Sequence, residues 1–159
     1  DQIKKGISNF KGTKRRSEFI GNLPGGGLLY DDYAHHPVEI KNTLMAFRKA
    51  FPKHRIIPIF QPHMYSRTKA LFKEFSSSFS DADLVLIAEI FPSFREKIDE
   101  NFSSSLLVSE IKKFGKDALY FPALSDVVKY VTSKTFDKNT LIITMGAGDI
   151  YKIGKELIV

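Results

Sequence analysis

Four short segments of the chain carry nearly unbroken apolar runs: Arg55–Gln61 (RIIPIFQ), Asp83–Glu89 (DLVLIAE), Ala118–Phe121 and Thr140–Met145 (TLIITM). Strands of this kind are buried on both faces, whereas a half-exposed strand alternates apolar and polar positions. Between them the period lengthens to three and four residues. Ile40, Leu44, Phe47 and Phe51 mark a helix from about Pro37, where a proline suits the first helical position. Leu71, Phe72, Phe75 and Phe79 mark a helix over Ser66–Phe79. Leu107, Ile111 and Phe114 mark a third, Val127, Val128 and Val131 a fourth over Ser125–Lys134, and a last helix starts at Asp149. Before all of these, Glu18–Leu23 and Gly26–Asp31 flank Pro24-Gly25 and read as a hairpin. Buried strands alternating with helices imply right-handed crossovers and parallel pairing. The expected fold is α/β: a doubly wound, mostly parallel Rossmann-like sheet with an N-terminal antiparallel hairpin at its edge.

Composition narrows the function classes. The chain has 159 residues, enough for one domain with its own core, and no cysteine, which removes disulfide frameworks and thiolate metal sites. No apolar run approaches the roughly 20 residues needed to cross a bilayer, so no membrane partner is expected and a cytoplasmic location is the default. The net charge of +6 is concentrated at one end. Residues 1–16 hold Lys4, Lys5, Lys11, Lys14, Arg15 and Arg16 against Asp1, a net +5 that leaves only +1 for the rest. The body therefore lacks the broad basic face of a nucleic-acid binder. Asp1 stands where a methionine would open a gene product, and Ile3, Ile7 and Phe10 are spaced like the last turns of a helix. Together these suggest a piece of a longer protein.

In a doubly wound sheet ligands bind at the carboxyl ends of the strands, and the polar residues crowd the segments that leave those ends. Asp31-Asp32-Tyr33-Ala34-His35-His36-Pro37 brings two carboxylates, a phenol and two imidazoles to the start of a helix. Asp32 could accept from a ribose and His35 or His36 could meet an anion or an amine, although Asp also caps helices and histidines also sit on surfaces. Adjacent histidines diverge and no H-x-x-x-H pair accompanies them, so no metal site is expected. His63 and Arg67 lie four residues apart where the next helix starts; a guanidinium beside a helix N-terminus suits a carboxylate or phosphate, or is simply solvated. Gly146-Ala147-Gly148 lets the backbone approach an anion, but Tyr151 stands where a dinucleotide fingerprint needs its third glycine. No G-x-x-x-x-G-K-[ST] loop occurs, so the chain cannot cradle nucleotide phosphates by itself. Phe91–Lys97 is a charged turn or a substrate loop.

FKGTKRRSE, DDYAHHP, FQPHMYSRT, FPSFREK and TMGAGDIY, in this order, resemble the C-terminal domain of the bacterial Mur ligases over essentially the whole chain. The resemblance implies a three-domain enzyme with residues 1–16 left from the central ATPase domain and residues 17–159 forming the C-terminal domain. It implies ATP-dependent addition of L-alanine to UDP-N-acetylmuramate in peptidoglycan synthesis, with Mg2+, through an acyl phosphate that the amine attacks. Arg16 would reach the ATP phosphates with Arg15 supporting, and Asp32 would bind the ribose. Tyr33, His35, His36, His63 and Arg67 would face the alanine and the muramyl carboxyl, with Arg67 and His35 nearest the chemistry and Gly146 and Gly148 shaping the rim. The phosphate loop and metal ligands would lie in the missing domains, leaving this one inactive alone. Met64 departs from the arginine many members carry. QPHMYSRT argues against the tripeptide-recycling sibling, and a non-catalytic nucleotide- or partner-binding module is the reading from a different class.

Overall fold

Strand β1 (Glu18–Asn22) turns through Pro24–Gly26 into β2 (Leu28–Asp32), and the hairpin closes where the Leu23 N–H donates to the Gly27 carbonyl at 2.7 Å. The computed structural model of the protein describes Gln2, Lys4, Lys5 and residues 12–93 and 96–158. Gln2, Lys4 and Lys5 are helical, but the apolar stripe expected there, Ile3, Ile7 and Phe10, lies outside the described residues. After the hairpin come α1 (Pro37–Ala50), β3 (Arg55–Phe60), α2 (Tyr65–Ala70), α3 (Phe72–Ser77), β4 (Val85–Ala88) and α4 (Ser104–Lys113). Next follow β5 (Ala118–Phe121), α5 (Leu124–Thr132), β6 (Thr140–Met145), a 3-10 turn (Asp149–Ile153) and α6 (Gly154–Leu157).

The strands form one sheet in the order β1-β2-β6-β3-β4-β5, parallel throughout except for the antiparallel β1–β2 edge pair. The doubly wound fold expected from the apolar runs is the fold observed. The last strand lies in the middle: β6 is buried at all six positions and pairs with β2 on one side and β3 on the other. Its alternate residues feed two cores. Leu141, Ile143 and Met145 join Ile56, Phe60 and the apolar faces of α1, α3 and α4, while Ile142 joins Ile57, Ile59, α5 and the C-terminal turns. β1 at the outer edge is half-exposed, and its register slips between Phe19 and Gly21.

Two local departures from expectation have physical causes. The helix expected over Ser66–Phe79 is two helices, broken at Leu71, which sits at φ −113° and ψ 29°. The second ends early as Ser76 and Ser78 donate their hydroxyls to the carbonyls of Phe72 and Phe75, competing with a further helical turn. Pro58, inside a central strand, removes a ladder donor. Pairing of β3 with β4 begins only at Ile59, and the Ile56 N–H on the near side of the proline donates to the Asp83 carboxylate at 2.7 Å.

Phe75 is fully buried, with its ring 5.6 Å from that of Phe60. Phe75→Ala is expected to cost about 3–5 kcal/mol, read as a lower urea midpoint at unchanged slope. A loss below about 1 kcal/mol would mean that this face is not close-packed.

Candidate active site

The parallel register sets Asp32, Met145, Phe60 and Ile87 level across β2, β6, β3 and β4. The loops leaving these strands therefore emerge side by side, and the Gly146 N–H donates to the Asp32 carbonyl at 3.3 Å. The segments singled out in the sequence share one end of the sheet.

Consecutive strand residues point to opposite faces, and Asp31 and Asp32 serve different partners. Asp31, 2% exposed, accepts from Arg15 Nε at 3.0 Å and from Thr144 Oγ1 at 2.6 Å. Arg15 continues across the rim, donating from Nη2 to the Gly146 carbonyl at 2.5 Å, with its guanidinium between the rings of Tyr33 and Tyr151 at 4.9 and 4.5 Å. The Tyr33 N–H closes the knot on the Arg15 carbonyl. Arg15 is thus a clamp within this domain, and the boundary expected after Arg16 cuts through that clamp. Arg16 is exposed over the other contact of Tyr33, 5.5 Å from the ring centroid, and is the cation available to an outside anion.

Asp32, expected to bind a ribose, is already held by the chain. Its Oδ2 accepts from the Ser17 N–H and hydroxyl and its Oδ1 from the Ala34 N–H at 2.8 Å, with the Thr43 hydroxyl at 3.5 Å. A ribose hydroxyl would have to share an oxygen already serving the chain. The two histidines also separate. His36 is the N-cap of α1: it is exposed, its Nδ1 accepts from the Val38 N–H, and its own N–H donates to Glu39 in a capping box. His35 is half-buried, edge-on to Tyr33, with Nδ1 3.0 Å from the Tyr33 carbonyl and 3.4 Å from Glu39, which leaves Nε2 as the nitrogen without a partner among the described residues. Burial raises the Glu39 carboxyl, but the His35 and His36 N–H groups and the charges of His35 and Arg16 outweigh it and hold the carboxyl below its usual range.

In the second loop His63 stacks on Phe91, centroids 5.6 Å apart, and the Met64 N–H donates to the Phe91 carbonyl. Met64 sits at φ 74°, a conformation costly for a residue with a Cβ, and forms the N-cap position of α2. The anion place expected at this helix start is filled from within: the Glu96 carboxylate accepts from the Tyr65 and Ser66 N–H groups at 2.5 and 2.8 Å. The segment Phe91–Lys97 therefore caps a helix through Glu96, while Arg95 lies outside the described residues. Gln61 Oε1, His63 Nδ1 and Arg67 Nη1 are buried atoms with no hydrogen-bond partner among the described residues. Burial lowers the His63 pKa, and the charges of Arg67 and His35 lower it further, against the opposing charge of Glu96.

The glycines answer the chain itself. A Cβ at Gly146, which has φ 145°, would lie 2.7 Å from the Gln61 carbonyl oxygen, and one at Gly148 would lie 2.7 Å from Phe91 Cγ and 2.8 Å from Gln61 Oε1. They let the loop after β6 nest against the loop after β3. Sequence reasoning put Asp31, Gln61 and Glu96 in the segments of this end but gave none of them a role; the buried ion pair of Asp31 and the helix-capping carboxylate of Glu96 are visible only in the structure. Among the described residues no cluster of His, Asp and Glu could hold a metal ion, and Asp31 and Asp32 are engaged elsewhere.

Exposed Arg16, half-buried His35 and Arg67, whose Nη1 has no partner among the described residues, stand at the strand ends of a Rossmann-like α/β sheet, the class of fold to which the chain belongs. The chain belongs to the family described as Mur ligase, glutamate ligase domain, whose model matches residues 15–148. It is 46% identical over 158 residues to the UDP-N-acetylmuramate--L-alanine ligase of Desulfitobacterium hafniense, covering 99% of this chain and 35% of that protein. The same enzyme from Lachnospira eligens is also 46% identical, with 34% of its length covered. The chain spans about a third of the length of the curated relatives it matches. Among solved structures, the UDP-N-acetylmuramate-alanine ligase MurC of Thermotoga maritima matches 96% of this chain and 31% of that chain, with TM-score 0.76 and 26% identity. The murein peptide ligase of Psychrobacter arcticus matches 96% of this chain and 31% of that chain, with TM-score 0.69 and 25% identity.

The His63 environment can be tested directly. Its NMR titration midpoint is expected below the 6.5 of a free imidazole, and Arg67→Gln should raise it part of the way, because burial is the larger cause. The linked sign follows: the unfolded ring takes up its proton at higher pH, so this group's contribution is complete above pH 6.5 and is lost as pH falls through the folded value. A midpoint at or above 6.5 in the native chain would contradict the burial and charge described.

Proposed function

We propose that this chain is the C-terminal domain of an ATP-dependent ligase that joins L-alanine to UDP-N-acetylmuramate in peptidoglycan synthesis. The observation that carries the reading is the 46% identity to such ligases across 99% of the chain, with the family's motifs falling on one rim of the sheet. The murein peptide ligase, at 25%, is the weaker reading.

In this reading the remaining two thirds of the enzyme supply the phosphate loop, the UDP-sugar site and any Mg2+ ligands, and the chemistry proceeds in the cytoplasm. ATP converts the muramyl carboxylate into an acyl phosphate that the alanine amine can attack. This chain's part is positioning and charge neutralisation in a site that closes when domains meet. Arg16, exposed over Tyr33, would reach the phosphates. Asp32, bonded to Ser17 and Ala34, holds Arg16 and Tyr33 in register, so its effect on nucleotide binding is through positioning. Arg67, with Nη1 unpartnered, offers a donor to a carboxylate. His63, whose pKa is lowered by burial, and His35 would offer ring nitrogens for hydrogen bonds with an amine. His36, occupied as a cap, contributes by holding α1.

In the full-length enzyme Arg67→Ala is expected to lower alanine-dependent phosphate release by at least 100-fold, about 2.7 kcal/mol of transition-state stabilisation, with an unchanged melting curve. Turnover equal to wild type would remove Arg67 from the site. The chain alone should release no phosphate from ATP; steady hydrolysis by it would defeat the shared-site reading.

A further inference from the structure

The loop that leaves β4 grips the loop that leaves β3 at successive points. The Phe91 N–H donates to the Pro62 carbonyl at 2.8 Å, and the Phe91 carbonyl accepts from the Met64 N–H at 3.1 Å. The Phe91 ring stacks on His63. Further along, the Glu96 carboxylate takes the N–H groups of Tyr65 and Ser66 at 2.5 and 2.8 Å, and Asp99 pairs with Lys69 in the last turn of α2. The root of this loop is itself pinned. Glu89 accepts from the Ile90 and Ser104 N–H groups at 2.7 and 3.0 Å and from the Tyr120 hydroxyl.

What this grip holds is the start of α2. The helix begins at Met64, whose φ of 74° is costly for a residue with a Cβ and whose side chain offers no cap. The first two N–H groups of the helix are answered instead by Glu96, from a different loop. Burial raises the Glu96 carboxyl, but the Ser66 hydroxyl and N–H, the Tyr65 N–H and the charge of His63 outweigh it and hold the carboxyl below its usual range. The cap is therefore a charged one, stronger than a neutral acceptor. Arg67 is the next residue of the helix. No carboxylate pairs with it among the described residues, and its Nη1 is buried without a partner there. With no ion pair of its own, its guanidinium is aimed by the course of the α2 backbone. We propose that Glu96 is a positioning residue for the ligase reaction: by fixing the first turn of α2 it sets where Arg67 meets a substrate carboxylate. The inference rests on the ligase reading for the reaction, while the clamp on α2 is independent of it. Glu96 itself touches no substrate in this scheme; it acts through Arg67, and a displacement of about 1 Å in such a group can cost on the order of 100-fold in rate.

In the full-length enzyme Glu96→Ala is expected to lower kcat/KM for alanine about tenfold or more, with the KM for ATP held within about twofold. Placed in an Arg67→Ala background, the same change should cost less than about twofold further, because a residue that acts through another has nothing left to act on. Glu96→Gln keeps the shape and one acceptor, so it should lose activity in the same direction by about threefold; it decides the matter if the alanine variant loses its fold. In this chain, amide hydrogen exchange at Tyr65, Ser66 and Thr68 should quicken about tenfold or more in Glu96→Ala, while the amides of β6 keep their protection. Full activity of both Glu96 variants, a loss that persists undiminished beside Arg67→Ala, or unchanged exchange at Tyr65 and Ser66 would each overturn the proposal. A wild-type enzyme without alanine-dependent phosphate release would instead sink the ligase reading, and the exchange measurement would still decide whether Glu96 holds α2.

Discussion

A carboxylate buried at the end of a central β-strand must be answered by a cation or by several hydrogen bonds, because an unpartnered buried charge costs several kcal/mol. Asp31 is that carboxylate, and Arg15 with Thr144 is the answer. The consequences run outward. Arg15 must cross from the segment before β1 to reach Asp31, which brings its second nitrogen to the Gly146 carbonyl and its flat face between Tyr33 and Tyr151. One ion pair thereby ties the entry to β1, the exit of β2 and the exit of β6 into a single block. Arg16, the next residue, is left facing outward over Tyr33 because its neighbour faces inward.

The fold was legible because the apolar runs and the three-to-four spacing carry direct geometric meaning. Strands at Arg55, Ala118 and Thr140 begin where their patterns begin, and the hairpin follows its Pro-Gly punctuation. Strand order was not legible. That the last strand occupies the centre depends on which buried surfaces meet, and all four buried strands read alike along the chain. The break at Leu71 was invisible for another reason: the stripe of Leu71, Phe72, Phe75 and Phe79 satisfies a continuous helix just as well.

The rim was legible as a place more than as a set of roles. The loops after β2, β3 and β6 do gather at one end, as strands of this class require. Yet residue type alone could not separate a carboxylate free for a ligand from one engaged by the chain. Asp32, His36 and the start of α2 each look like contact points, and each is occupied by Ser17, by the α1 backbone or by Glu96. Which polar groups remain unpartnered is a property of three-dimensional arrangement. Gln61 emerges from that comparison, and Arg67, already singled out by its place at a helix start, proves to keep a buried nitrogen without a partner among the described residues.

The slipped register of β1 between Phe19 and Gly21 has a consequence for life in concentrated solution. A regular outer strand presents an evenly spaced row of donors and acceptors onto which another molecule can add its own strand, the first step towards aggregates. The irregularity breaks that row within five residues and twists what remains. At the far edge β5 is only four residues long. Both margins of the sheet are thus poor templates for intermolecular pairing, so the chain can stay dispersed without a charged or covered edge.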